Sequence, residues 1–175
     1  MKIRAIYPGT FDPVHVGHLN IMDRAAAIFD ELIVGVYDHG VPSKSLLFSV
    51  EERVEMIRET LDGRENIDIR PYGAITVDFA RSVGAKDIVR GLLGFSDFEI
   101  EFRMALANKR LAPEIEVVTL ITREEHTFLS GTTVREIASF GGDVSSMVPP
   151  LVARALYERF DLDNPDFQAP VSLRD

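Results

Sequence analysis

The chain has 175 residues, enough to bury a substantial core within one domain. Its 19 Lys and Arg against 28 Asp and Glu give a net charge of −9, which argues against a nucleic-acid-binding surface but allows a local cationic pocket. The absence of cysteine excludes disulfides, thiolate metal sites and thiol nucleophiles; no apolar run reaches membrane-span length and no apolar leader opens the chain, so a cytoplasmic location is expected.

Ile3–Tyr7 reads as a strand and Gly17–Phe29 as a helix with Leu19, Met22, Ala26 and Phe29 apolar. Leu32–Tyr37 is a near-continuous apolar strand, the pattern of a strand covered on both faces. After a polar loop from Asp38 to Phe48, Ser49 and Glu52 form a capping box that starts a helix to about Leu61, stopped at Gly63. Ile67–Arg70 is the third strand, Thr76–Val83 a short helix ending at Gly84, and Asp87–Arg90 the fourth strand. A second box over Ser96–Glu99 is expected to open a helix to Leu111, before Pro113, and Glu116–Ile121 is the fifth strand. A third box, Thr133–Glu136, predicts a helix ending near Gly141-Gly142, and Pro149-Pro150 a last helix to Phe160.

This alternation implies an α/β, Rossmann-like, doubly wound five-stranded parallel sheet with C-terminal helices. The expected domain covers residues 1–160, with 161–175 as an extended or disordered tail. In such a sheet ligands sit beyond the carboxyl ends of the strands. The loops there carry Thr10 to His18, Lys44, Thr76, Arg90-Gly91 and Ser130-Gly131-Thr132, with Lys44, Arg90, Arg123 and Arg135 as cations able to converge. Tyr7-Pro8-Gly9-Thr10-Phe11-Asp12-Pro13-Val14-His15-Val16-Gly17-His18 joins a strand to a helix N-terminus, where free N–H groups, a hydroxyl and imidazoles suit phosphate. His18 is the expected donor to a transferring phosphate; for His15 a purely local role at the helix start stays open.

The motif His15-Val16-Gly17-His18 resembles the H-x-G-H signature of the nucleotidylyltransferase superfamily, and Tyr7–Pro13 resembles the start of phosphopantetheine adenylyltransferases. The resemblance runs from Met1 to Phe160 and includes Glu51-Glu52-Arg53 and Phe79-Ala80-Arg81. It implies the nucleotidylyltransferase fold and transfer of AMP from ATP to 4′-phosphopantetheine, giving dephospho-CoA and pyrophosphate. It also implies Mg²⁺ carried with ATP and no protein metal site, CoA as a feedback ligand, and a homo-oligomer, a hexamer in related enzymes. No nucleic acid or membrane partner is expected.

By the same resemblance His18, Thr10 and Lys44 are the catalytic positions, with Thr10 orienting the acceptor phosphate and Lys44 bridging donor and acceptor phosphates. The acceptor side takes Thr10, Lys44, Thr76, Arg90 and Asn108. The ATP side takes Thr10, Phe11, His18, Gly91, Leu92, Leu93 and Glu101, together with the second signature His126-Thr127-Phe128-Leu129-Ser130-Gly131-Thr132. Three positions depart from the family pattern. Leu93 stands where an arginine is usual, Gly131 where a serine is usual, and Thr76 where an apolar residue is common. Another small-molecule transferase of this fold stays open, of the nicotinamide mononucleotide adenylyltransferase or glycerol-phosphate cytidylyltransferase type, as does a non-catalytic CoA-binding paralogue. A class I aminoacyl-tRNA synthetase, which shares H-x-G-H, is excluded by the short, acidic chain.

Overall fold

In the computed structural model, which describes residues 2–40, 46–92 and 95–162, strands and helices alternate as the apolar periodicity requires. The first half contains β1 (Arg4–Gly9), α1 (Val16–Ile28), β2 (Glu31–Tyr37), α2 (Val50–Thr60), β3 (Ile67–Tyr72) and α3 (Thr76–Ser82). The second contains β4 (Asp87–Leu92), α4 (Phe95–Leu111), β5 (Glu116–Ile121), α5 (Gly131–Ser139) and α6 (Pro150–Arg159), with a 3₁₀ turn at Glu124–His126 that the periodicity did not announce.

All strand pairs are parallel, in the order β3-β2-β1-β4-β5. Alternate residues feed opposite faces. On β2, Leu32, Val34 and Val36 join a core cluster with α1, α2, α5 and α6, while Ile33 joins a second with α3. Each such buried aliphatic side chain contributes roughly 1.5–3 kcal/mol.

One detail of register shapes the site. β1 pairs with β2 along Arg4–Gly9, but with β4 only at Ala5↔Asp87 and Ile6↔Ile88. Beyond Ile6 the sheet therefore opens between its central strands, at the point where the strand order reverses. Across that gap the Arg90 guanidinium donates to the Pro8 carbonyl at 3.0 Å. Pro8 extends β1 past Tyr7 because its β4 side no longer needs a ladder, and Pro71 extends β3 because that strand is an edge.

Two expected caps move. Ser49 and Glu52 form the predicted reciprocal box, at 3.1 and 2.7 Å. Ser96, however, lies inside α4, which begins at Phe95. Thr133 is the third residue of α5 rather than its cap: Ser130, in extended conformation, accepts from the Thr133 N–H at 3.0 Å, so the helix starts three residues early. At the C-terminal end, the Leu162 N–H bonds the Tyr157 carbonyl and Leu162 packs on the core, so ordered packing runs two residues past Phe160.

Candidate active site

The turn from β1 into α1 is held from three sides. Asp12, 4% exposed, accepts from the N–H groups of Leu47 (2.8 Å) and Phe48 (3.0 Å) and from the Arg135 guanidinium of α5 (3.2 Å). Arg53, 2% exposed, donates to the carbonyls of Thr10 (2.6 Å), Tyr37 (3.0 Å), Phe48 and Ser49 (both 3.2 Å). A buried guanidinium is tolerated because its donors meet four carbonyls. Phe11 takes a left-handed φ of 52°, and its ring packs edge-on to Tyr7 and His18.

The two histidines of the turn cap α1 reciprocally. His15 Nδ1 accepts from the His18 N–H at 3.3 Å, His18 Nδ1 accepts from the His15 N–H at 3.2 Å, and the rings stack with centroids 3.5 Å apart. The box usually built from a hydroxyl and a carboxylate is built here from imidazoles. Gly17 is required by this stack, since a Cβ there would meet the His15 ring at 2.9 Å. Burial, followed by the charge of His126, lowers the His15 pKa to about 4; burial, then His15 and Arg90, put His18 well below its usual value. Both imidazoles are therefore neutral near pH 7. With Nδ1 accepting, the proton of each sits on Nε2, and His18 presents Nε2–H as its remaining donor. His18 thus offers an oriented neutral donor, in line with the positive end of a helix disfavouring an imidazolium.

A cavity of about 620 Å³ lies over this turn, reached by Thr10, Phe11, His18, Gly91 and Glu101, and by Gly131 and Thr132 of α5. It thus faces two helix N-termini, whose first-turn N–H groups lack intrahelical partners and favour anions. Asp12, Arg90, Arg135, His39 and Asp97 add charged and polar groups to its lining. A second cavity of about 310 Å³ is lined by Thr10, Thr76, Arg90 and Asn108. The two share Pro8, Gly9, Thr10, Arg90 and Glu101, so a group bound in one reaches the other across Thr10.

Arg90 and Glu101 form a two-pronged ion pair on that shared wall, at 2.8 and 2.6 Å. Burial opposes the Arg90 charge, yet the hydrogen bonds and charge of Glu101 outweigh it and raise its pKa. Glu101 thereby reaches both cavities and positions Arg90.

The other expected residues divide. Leu92 ends β4 without lining either cavity, while Lys44 and Leu93 lie outside the described residues. In the second signature only Gly131 and Thr132 line the large cavity. Leu129 is a core side chain at 2% exposure, Phe128 points to solvent at 58%, and Thr127 bonds back to the Glu124 carbonyl. Ser130 spends its hydroxyl on the α5 cap, and His126 packs near Gly17 with Nε2 3.6 Å from Glu125. Arg123 is exposed beside Glu125 and reaches neither cavity, unlike Arg90 and Arg135. Gly131 has a packing reason: a Cβ there would lie 2.9 Å from the Asp12 carbonyl oxygen, so the two helix starts approach closely only with glycine.

Asp12 and Arg53, present in the motifs but given no role there, are the residues that clasp the turn. A signal existed for Arg53, which occupies the apolar stripe Val50, Val54, Ile57, Leu61 of α2 at helical spacing. A charge on a core-facing stripe marks a buried hydrogen-bonding role.

Residues 6–137 match the cytidylyltransferase-like family. The chain is 48% identical to a phosphopantetheine adenylyltransferase from Heliobacterium modesticaldum over 95% of this chain and 98% of that protein. It is 51% identical to one from a Roseiflexus species over 87% and 94%, and 46% identical to one from Desulforudis audaxviator over 93% and 98%. Among solved structures, a bifunctional NMN adenylyltransferase/ADP ribose pyrophosphatase from Francisella tularensis superposes with a TM-score of 0.71 at 19% identity. That match covers 93% of this chain and 51% of the other, and demonstrates the shared nucleotidylyltransferase fold.

Proposed function

We infer that this chain, which belongs to the phosphopantetheine adenylyltransferase family, transfers AMP from ATP to 4′-phosphopantetheine, yielding dephospho-CoA and pyrophosphate in coenzyme A biosynthesis. The observation that carries the reading is the pair of cavities meeting at Thr10 and Arg90, one under two helix N-termini and one along β3, β4 and α4. A nucleotide triphosphate suits the first, and an extended acceptor with a terminal phosphate suits the second.

In the proposed reaction an oxygen of the acceptor phosphate forms a bond to the α-phosphorus of ATP. The bond from that phosphorus to the bridging oxygen breaks, and the electron pair leaves with pyrophosphate. The acceptor is already an anion, so no general base is needed; positioning and charge stabilisation supply the rate. Thr10, whose carbonyl Arg53 fixes, orients the acceptor phosphate. His18 donates Nε2–H to the α-phosphate oxygens as charge builds on them, a preorganised contact whose tautomer the His15 N–H has already selected. Lys44 bridges the two phosphates on the strength of its motif. Arg90, Thr76 and Asn108 hold the acceptor, while Phe11, Gly91, Glu101, Gly131 and Thr132 border the nucleotide.

Among the described residues no three His, Asp or Glu side chains gather to hold a metal. Mg²⁺ would enter with the polyphosphate, whose charge it would neutralise. Self-association into a hexamer is supported by α4, where Phe98, Phe102 and Leu106 share one helix face and are all about half exposed, an apolar surface suited to a partner copy. CoA carries the same arm as the acceptor, so the second cavity is the place for a feedback ligand. No helix of the described residues is long and apolar enough to cross a membrane.

The test is pyrophosphate release from ATP and Mg²⁺ with 4′-phosphopantetheine, against nicotinamide mononucleotide and glycerol phosphate as acceptors and CTP as donor. Release specific to 4′-phosphopantetheine and ATP supports the reading. Release no greater than in a folded His18→Ala variant overturns it.

A further inference from the structure

The second cavity carries a side chain to which the transfer chemistry gives no part. Tyr72, the last residue of β3, is buried with its ring stacked on Phe79 at 4.3 Å and set edge-on to Tyr37 at 5.3 Å. Behind it Gly35 admits no side chain, since a Cβ would meet Phe79 at 2.7 Å and Tyr72 at 3.0 Å. The ring is locked, and its hydroxyl lies 3.3 Å from Thr76 Oγ1. Both residues line the cavity, whose neighbouring wall is apolar, from Ile88, Met104, Ala105 and Val117.

Two hydroxyls bonded to each other use one donor and one lone pair, leaving one O–H and further lone pairs for a third group. Burial pushes the Tyr72 phenol above its ordinary pKa, so it keeps its proton at neutral pH. An apolar slot with one fixed donor–acceptor pair matches an amide set in an aliphatic chain, which offers one N–H and one C=O between methylenes. The acceptor proposed above carries two such amides in its arm. We propose that Tyr72 and Thr76 bind one amide of the acceptor's arm and so are specificity-determining residues for the acceptor. This rests on the adenylyltransferase reading. A phosphate ester lacking the amide would leave the pair unmatched in an apolar wall, the situation in which hydrogen-bonding sites discriminate most strongly.

The test uses Tyr72→Phe, Thr76→Val and the double variant, all close in volume to the parent, with Thr76→Ser as the rescue. The acceptors are 4′-phosphopantetheine and two analogues in which either amide is replaced by a pair of methylenes. Steady-state KM values are paired with dissociation constants from calorimetry. The double variant should weaken 4′-phosphopantetheine about 5- to 20-fold in both KM and Kd, with ATP KM unchanged and Thr76→Ser near the parent. With one of the two analogues the parent and the double variant should bind alike. Unchanged acceptor affinity in the double variant, an equal rise in ATP KM, or a loss that persists in full with both analogues overturns the proposal. Calorimetry reads affinity without transfer, so the two readings fail separately. A parent that binds 4′-phosphopantetheine but releases no pyrophosphate counts against the transferase reading, while the affinity difference still decides whether the amide is bound.

Discussion

Two of the strand-to-helix connections at the large cavity, β1–α1 and β5–α5, are built on opposite plans. The β1–α1 turn is short and buried, with Asp12, Arg53 and Arg135 locking its backbone and two imidazoles capping the helix it enters. The β5–α5 connection is longer and mostly exposed, touching the cavity only where α5 begins, at Gly131 and Thr132. The difference teaches where precision is needed. A group that stabilises charge in transfer must be preorganised, whereas a polyphosphate grip can be made from main-chain N–H groups at a helix start.

Removing the donor from the rigid turn should have the largest effect. His18→Ala is expected to lower kcat about 10²- to 10³-fold while costing only about 1 kcal/mol of stability for the lost cap contact, measured by pyrophosphate release and urea denaturation. A large loss of stability instead would mean that the histidine pair is mainly a cap. Next is the lock itself: Arg53→Met takes the side-chain donor from the carbonyls of Thr10, Tyr37 and Phe48, while that of Ser49 keeps the Arg53 N–H, and should cost roughly 3 kcal/mol, read from the urea midpoint.

Acid should expose the same region. The His15 pKa is about 4 in the folded protein against 6.5 ordinarily. Above 6.5 the imidazole is neutral in folded and unfolded chains alike. As the pH falls from there toward 4, the unfolded chain takes up a proton that the folded protein refuses. Stability is lost across that window, by about 2 kcal/mol at pH 5. His15→Thr keeps a capping hydroxyl and removes the imidazole, so its urea midpoint should fall less steeply between about pH 7.5 and pH 5; parallel curves would show that His15 does not refuse the proton.

The second connection should respond less. Gly131→Ala puts a methyl against the Asp12 carbonyl and should cost about 1 kcal/mol, with a rise in ATP KM as the two helix starts separate. Phe128→Ala, at an exposed position, should move the unfolding midpoint by less than about 0.5 kcal/mol. A loss as large as that of Arg53→Met would erase the contrast between the connections.

Much of this was legible in the chain as letters. Apolar runs and their period placed five strands and their helices within one or two residues at most boundaries, because burial on two faces constrains composition locally. The Ser49 box was readable because donor and acceptor lie three residues apart. The α5 start was not, since Ser130 and Thr133 both offer a capping hydroxyl and only the backbone conformation at Ser130 chooses between them. Within the second signature, letters alone could not separate Gly131 and Thr132, which face the cavity, from Leu129, which faces the core.

By itself, then, the sequence determined the alternating fold, the family and the position of the β1–α1 turn with its two imidazoles at a helix start, all of which depend on residues near one another in the chain. Tertiary structure alone decided the protonation state of that donor, the pairing of Arg90 with Glu101, the clasp of Asp12 and Arg53 on the turn, and the meeting of two cavities at Thr10. Burial and long-range partners set those properties, and both arise only when distant segments pack together.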